Sequence, residues 1–134
     1  MNDLHTNLTF PSDPKNVSKV EPFLHDVATR YNLPPEKHGD ILVSLTEAVT
    51  NAVLHGNQGD CNKSVSISLS RKPNALAISV SDEGPGFDPG AVPDPTSPEH
   101  IECCGGRGLF LMRHLSDECR FKRGGRTVEM HFKL

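Results

Sequence analysis

Three polar residues recur at every fourth position near the middle of the chain. They are Glu47, Asn51 and His55, and on a helix this spacing places them in one column. The amide oxygen of Asn51 is a suitable Mg²⁺ ligand, and the carboxylate of Glu47, one turn away, can accept a proton from an attacking hydroxyl or water. A column of polar residues is ordinarily only the solvent-exposed face of an amphipathic helix. The types of residue in this column, rather than the column itself, indicate chemistry.

A first glycine cluster follows an apolar strand pattern and begins with an acid, Asp82-Glu83-Gly84-Pro85-Gly86-Phe87. A carboxylate at the end of a buried strand needs a hydrogen-bond donor, and the exocyclic amine of adenine would supply one to Asp82. Gly84 and Gly86 allow the backbone to approach a flat ligand closely. The alternative is an ordinary turn that starts with Asp82.

A second glycine cluster, Gly105-Gly106-Arg107-Gly108-Leu109, precedes a helical pattern. Glycines at a helix N-terminus present unhindered amides, which favour phosphate groups together with the helix dipole, and Arg107 adds a charged donor. Either cluster alone is typical of a loop hinge. The order of the polar column, the acid and the two clusters indicates a site for a purine nucleotide with its phosphates and metal.

Length and charge limit the classes of protein that fit. The chain has 134 residues, enough for one domain, 1–134, with one hydrophobic core. A net charge of −3 and the lack of a long basic run argue against a nucleic-acid partner. No stretch of about 18 apolar residues occurs, and the first residues are polar, so we expect a soluble cytoplasmic protein without a membrane contact.

The four cysteines are predicted to be reduced thiols. They are Cys61, Cys103, Cys104 and Cys119. They form no CxxC spacing, and a disulfide between adjacent cysteines is strained and uncommon. A zinc site built from Cys103 and Cys104 with His100 and His114 matches no common tetrahedral pattern.

Periodicity predicts the elements that position the site. A short strand around Leu8 and Phe10 precedes a first helix, opened by a capping box at 18–21, and a second helix runs from about Pro35 to His55. Two alternating strands follow as a hairpin around 72–74, and then a proline-rich loop, 87–104.

A third helix begins at the second glycine cluster, and two final strands, about 118–122 and 127–133, flank a Gly124-Gly125 turn. This order predicts an α+β fold, a two-layer sandwich whose mixed, mostly antiparallel sheet carries its helices on one face. A P-loop arrangement is excluded because no GxxxxGK[ST] motif occurs, and the first glycine cluster leads into a loop, unlike a Rossmann fingerprint.

The segments that carry the candidate site residues resemble the motifs of one superfamily. Glu47–Asn57, EAVTNAVLHGN, is similar to the N box of the GHKL ATPases, Asp82–Gly86 to their first glycine box, and Gly105–Met112 to their second. The chain most resembles the small bacterial anti-sigma-factor serine/threonine kinases. That resemblance implies the Bergerat ATP-binding fold, ATP with Mg²⁺, an anti-anti-sigma protein of the STAS type as phosphorylation substrate, and often a sigma factor as binding partner. It also makes a homodimer through the first helix an expectation.

The resemblance also implies roles for single residues. Glu47 matches the general base, Asn51 the Mg²⁺ ligand, and Asp82 the adenine-binding acid. The remaining positions that match nucleotide-contacting parts of the motifs are His55, Gly56, Asn57, Gly84, Gly86, Gly105, Gly106, Arg107, Gly108, Leu109 and Thr127. Of these, Thr127 is the loosest match, because 124–127 follows the family's final glycine-threonine element only in part.

Other branches and functions fit less well. Sensor histidine kinases share the boxes, but about 20 residues precede the first predicted helix here, too few for a phosphoacceptor hairpin. Gyrase-like, mismatch-repair and chaperone members need a further domain. Two alternatives stay open: a non-catalytic adaptor that binds its partner under the control of ATP, and a detached histidine-kinase-like ATP-binding domain. The intact Glu47 favours the kinase.

Overall fold

The structure is a computed structural model that describes residues 4–84 and 106–134, and of residues 106–110 it describes the backbone. The predicted loop 87–104 lies outside the described residues, as do Gly86 and Gly105. Cys103 and Cys104 lie outside them as well, so the zinc alternative is not described. Among the described residues, no three acidic, histidine or cysteine side chains are grouped so as to hold a metal ion.

In the described part of the chain, five strands form one sheet in the order β1-β2-β3-β5-β4. Their bounds are β1 Leu4–Pro11, β2 Ser64–Lys72, β3 Ala75–Ser81, β4 Glu118–Lys122 and β5 Thr127–Lys133. All pairings between these described strands are antiparallel, so the sheet predicted to be mixed is antiparallel in this part of the chain. The expected β2–β3 hairpin is present, with Lys72 paired to Ala75.

Within residues 4–84 and 106–134, three α-helices pack on the sheet and complete a hydrophobic core. They are α1 Val20–Tyr31, α2 Pro35–Thr50 and α3 Gly106–Leu115. The sheet contributes fully or almost fully buried side chains from alternate positions, Val65, Ile67, Leu69, Leu76, Ile78, Val80, Met130 and Phe132. The helices contribute Leu24, Val27, Ile41, Leu45, Val49 and Met112. The prediction of a two-layer α+β fold is confirmed. None of the described helices is long and apolar enough to cross a bilayer.

The predicted capping box at the start of α1 is wrong. Residues Pro14–Lys19 form a 3₁₀ helix, capped by the Asp13 carboxylate, which accepts from the Lys15 N–H at 3.1 Å. Ser18 lies inside that turn, and its hydroxyl donates back to the Lys15 carbonyl oxygen at 2.7 Å. Helix α1 therefore begins at Val20 directly from the 3₁₀ turn, without a side-chain cap.

Candidate nucleotide-binding site

The second helix changes its geometry at the residue proposed as the metal ligand. Residues Pro35–Thr50 are α-helical, and Asn51–Gly56 form one π-helical turn. The turn is closed by the Asn57 N–H, which donates to the Ala52 carbonyl oxygen, five residues back, at 2.9 Å. Single π turns inside helices are frequent at functional sites.

The π turn modifies the predicted polar column. Glu47 and Asn51 are separated by α-helical backbone and lie one turn apart, as predicted. A π turn holds more residues than an α turn, so His55 does not continue the column with α-helical spacing. The helix end predicted near His55 is correct in extent, but its last turn has a wider helical geometry than expected.

Glu47 and Asn51 carry unpartnered polar groups. Both side chains are half-buried, and His55 is exposed. Within the described ranges, none of the three side chains makes a hydrogen bond or an ion pair. Among the described residues, Ser44 Oγ is the one fully buried side-chain polar atom without a partner, so the polar atoms of Glu47 and Asn51 are reachable from solvent. The pair is therefore available to a ligand.

Asp82 leaves the end of β3 and turns back on its own loop. Its Oδ1 accepts the Gly84 N–H at 2.8 Å, and its own N–H donates to the Arg126 carbonyl oxygen at 2.9 Å. Burial raises the pKa of the Asp82 carboxyl above its ordinary value of 3.8, while the Gly84 hydrogen bond and the charges of Arg126 and Lys63 act in the opposite direction. A partly buried acid with one oxygen engaged by the backbone suits a site that receives a donor from a ligand.

Two glycines bring the end of the π turn against the Asp82 loop. A Cβ at Gly56 would lie 2.3 Å from Asp82 Oδ2, and a Cβ at Gly84 would lie 1.9 Å from the Gly56 carbonyl oxygen. Neither position can hold a larger residue without movement. We predicted that Gly84 is a glycine because a ligand approaches the backbone there. The structure gives a different reason for glycine at this position, which is the close approach of the Gly56 carbonyl.

The side chain of Asn57 joins three parts of the chain beneath this loop. It is 1% exposed. Its Nδ2 donates to Ser12 Oγ at 2.5 Å and to the Ser64 carbonyl oxygen at 3.0 Å, while its Oδ1 accepts the Glu83 N–H at 2.7 Å. The resemblance implied that Asn57 contacts the nucleotide. With its amide hydrogens and its oxygen all engaged inside the protein, we now assign it to the support of the site.

Thr127 lies beside the Asp82 end of the sheet. It is paired with Ser81 in the β3–β5 register, and the two hydroxyls are hydrogen-bonded at 2.9 Å. Its neighbour Arg126 donates from Nε to the Gly84 carbonyl oxygen at 2.7 Å. Thr127 therefore lies next to Asp82, and its part in a nucleotide pocket stays a prediction, whereas the contacts of Arg126 were not predicted from the sequence.

The predicted phosphate-binding helix start is present in the backbone. Helix α3 begins at Gly106, so the backbone of Gly106, Arg107, Gly108 and Leu109 forms its first turn. Helix α3 packs against α2, the helix that carries Glu47. The predicted second and third helices are therefore present and packed against each other, and phosphate binding at this helix start stays a prediction.

The motifs, the fold and the site geometry lead to one family. The sequence profile of the histidine kinase-like ATPase domain matches residues 10–132. The chain belongs to this family. The predicted superfamily and its use of ATP are thereby confirmed.

Curated relatives of the chain carry the name serine-protein kinase RsbW. The one from Bacillus subtilis (strain 168) is 33% identical over 133 residues, covering 94% of this chain and 83% of the relative. That from Bacillus licheniformis is 33% identical over 130 residues, covering 90% and 79%. That from Listeria monocytogenes serotype 4a (strain HCC23) is 29% identical over 128 residues, covering 90% and 82%. The predicted class of enzyme, a serine/threonine protein kinase, is confirmed by these relatives.

Proposed function

We propose that this chain transfers the γ-phosphate of Mg-ATP to a serine or threonine hydroxyl of a partner protein. The observation that carries the proposal is the pair formed by Glu47 and Asn51. They lie one turn apart at an α-to-π junction, half-buried and without partners among the described residues. A general base and a metal ligand need this proximity and this freedom.

The residues of the chain fit a magnesium ion bound together with a nucleotide. Mg²⁺ is commonly held by one or two protein oxygens, with phosphate oxygens and water completing its shell. The unpartnered amide oxygen of Asn51 is such a ligand, which agrees with the lack of a three-residue acidic, histidine or cysteine cluster in the described ranges. When bound, the ion would neutralise charge on the phosphates.

The proposed transfer assigns one role to each remaining group. The hydroxyl oxygen of the partner attacks the γ-phosphorus, the bond between that phosphorus and the β–γ bridging oxygen breaks, and ADP leaves. Glu47 accepts the hydroxyl proton as the new bond forms. Asp82 accepts a hydrogen bond from the adenine amine, which favours ATP over GTP, and the backbone amides at the start of α3 bind phosphate oxygens.

The partner follows from the resemblance to anti-sigma-factor kinases. We expect the phosphate acceptor to be an anti-anti-sigma protein of the STAS type, and we expect the chain to sequester a sigma factor in the cytoplasm. A homodimer through α1 is a further expectation. No basic run comparable to a nucleic-acid-binding surface occurs in the sequence, so the proposed partners are proteins.

Phosphate transfer separates the kinase from the adaptor. The chain is incubated with γ-labelled Mg-ATP and a STAS-domain protein that binds it in a pull-down, and the labelled residue is identified by mass spectrometry. Label on a serine or threonine of the partner supports the kinase. Stable complex formation that depends on ATP but leaves the partner unlabelled would replace the kinase with an ATP-gated adaptor.

A further inference from the structure

Three hydrogen bonds form a closed ring among Asp82, Gly84 and Arg126. The Asp82 N–H donates to the Arg126 carbonyl oxygen at 2.9 Å, Arg126 Nε donates to the Gly84 carbonyl oxygen at 2.7 Å, and the Gly84 N–H donates to Asp82 Oδ1 at 2.8 Å. Each residue donates once and accepts once. The ring attaches the first glycine cluster to the start of β5.

An unusual turn places Arg126 in this ring. Arg123, Gly124 and Gly125 have φ values of 54°, 67° and 89°, three consecutive residues in left-handed backbone. Positive φ is unfavourable for a residue with a side chain such as Arg123. The turn delivers Arg126 to the position just before Thr127, whose partner Ser81 immediately precedes Asp82. Arg126 thus stands opposite the point at which Asp82 leaves the sheet.

The loop is held from its other side by a buried group. Asn57 accepts the Glu83 N–H at 2.7 Å from within the core, whereas Arg126 is exposed. Removing Asn57 would therefore open the core, and removing Arg126 would release only one side of the loop. A substitution of Arg126 therefore tests the orientation of the loop with less disturbance of the core than a substitution of Asn57.

We propose that Arg126 is a positioning residue for nucleotide binding, which holds the Asp82 carboxylate and the Gly84 backbone in the orientation that receives the adenine amine. The inference rests on the proposed function, since it assumes that Asp82 binds adenine. Arg126 reaches the site through Gly84 and Asp82 and transfers no proton or phosphate.

The charge of Arg126 contributes a second, measurable effect. Burial raises the pKa of Asp82, and the nearby cations Arg126 and Lys63 lower it. The π turn brings the neutral Gly56 against the carboxylate, and His55, its neighbour in the sequence, is exposed. The adjacent Glu83 is engaged elsewhere, since its carboxylate accepts the Ser64 N–H. Loss of the Arg126 charge should therefore raise the pH at which Asp82 becomes protonated.

The test compares Arg126→Met, which lacks both charge and donor, with Arg126→Lys, which keeps both. Arg123→Met is the control, because it also removes one positive charge and lies only three positions before Arg126. Among the described contacts, none joins the Arg123 side chain to Asp82 or Gly84. Mg-ATP affinity is measured by calorimetry between pH 5 and 8, together with the thermal unfolding temperature and the transfer rate at saturating ATP.

We expect Arg126→Met to weaken Mg-ATP binding about five- to tenfold, the effect of one charge-assisted hydrogen bond at a partly exposed site. The affinity should also begin to fall at a higher pH on acidification than in the wild type. Arg126→Lys should bind within about threefold of the wild type and keep its pH profile, because an ammonium retains the charge and can donate to the Gly84 carbonyl. The unfolding temperature of Arg126→Lys and the rates of both variants at saturating ATP should be unchanged.

Wild-type affinity and pH profile in Arg126→Met would overturn the inference, as would equal losses in Arg126→Met and Arg123→Met, which would indicate a general effect of net charge. Failure of the wild type itself to bind Mg-ATP would instead refute the proposed function. If Arg126→Met lowers the unfolding temperature as well, the pH dependence of Mg-ATP affinity in Arg126→Lys is the deciding measurement. A loss of affinity that begins at a different pH in Arg126→Lys than in the wild type contradicts the positioning role.

Discussion

The carbonyl oxygen of Gly56 occupies the space that a side chain at Gly84 would need. A Cβ at Gly84 would lie 1.9 Å from that oxygen and 2.5 Å from the Gly56 carbonyl carbon, both of them backbone atoms that cannot rotate away. The contact joins the end of the π turn to the loop after β3. The two segments that resemble the N box and the first glycine box are thus fixed to each other by their backbones.

Gly84→Ala is expected to displace this loop and to lower the free energy of unfolding by about 1–3 kcal/mol, the usual cost of overpacking. Mg-ATP binding should fall with it, because the Asp82 carboxylate moves. Gly39→Ala is the matched control. Gly39 is exposed within α2, with no atom within 4 Å of an added Cβ, so alanine there should stabilise the helix by about 0.5–1 kcal/mol. Urea unfolding of both variants checks the pair, and equal stabilities would contradict the steric account.

Asn57→Ala is expected to destabilise the protein by about 2–3 kcal/mol, because it removes three hydrogen bonds and leaves the buried Ser12 hydroxyl with one partner fewer. Asn62→Ala serves as the control. Asn62 is exposed, and its backbone N–H, not its side chain, donates to Asp60. The midpoint of urea unfolding decides. If Asn57→Ala retains wild-type stability and loses ATP binding alone, Asn57 contacts the nucleotide as the sequence first suggested.

Local patterns in the sequence were sufficient for the elements and for the place of Asp82 at the end of β3. Alternation in β2 and β3, the apolar stripe of α2 and the glycine start of α3 each reflect the geometry of one element, and all three were predicted correctly. The position of Asp82 followed because a strand pattern ends directly before it.

Contacts between distant segments could not be predicted in this way. Asn57 meets Ser12 across 45 positions and Glu83 across 26, and Arg126 meets Gly84 across 42. No periodicity links such pairs, since they depend on how strands 1, 2, 3 and 5 are ordered. The π turn was missed because it changes the backbone hydrogen bonding from one residue to the next without a change in the apolar pattern that predicted the helix.

Asp82→Asn is expected to bind ATP more weakly by about 1–3 kcal/mol and to lose the preference over GTP, because an amide is a poorer acceptor for the adenine amine than a carboxylate. The nucleotide-free variant should nevertheless be more stable than the wild type at neutral pH. Burial raises the pKa of Asp82 in the folded state above 3.8, so ionisation of this group opposes folding.

The difference in stability between nucleotide-free Asp82→Asn and the wild type depends on pH, because the pKa of Asp82 is raised on folding. The stabilising contribution of neutral Asp82 is fully present below pH 3.8, the ordinary value, and is lost as pH rises through the raised folded pKa. The gap in unfolding free energy between Asp82→Asn and the wild type should therefore close on acidification. Thermal unfolding of both proteins in the absence of nucleotide, from pH 7 downward, measures it. A gap that stays constant would mean that ionised Asp82 carries no folding penalty.

The central claim is that Glu47 accepts the proton during phosphate transfer while Asn51 holds the metal, and a single-turnover experiment on Glu47→Gln tests it most directly. The variant keeps the shape of the side chain and removes its basicity. We predict Mg-ATP affinity within about twofold of the wild type and a transfer rate lower by about 10²–10⁴-fold. Asn51→Ala should instead lose Mg-ATP affinity, because it removes a metal ligand. Transfer by Glu47→Gln at the wild-type rate, with the same partner and saturating Mg-ATP, would contradict the account.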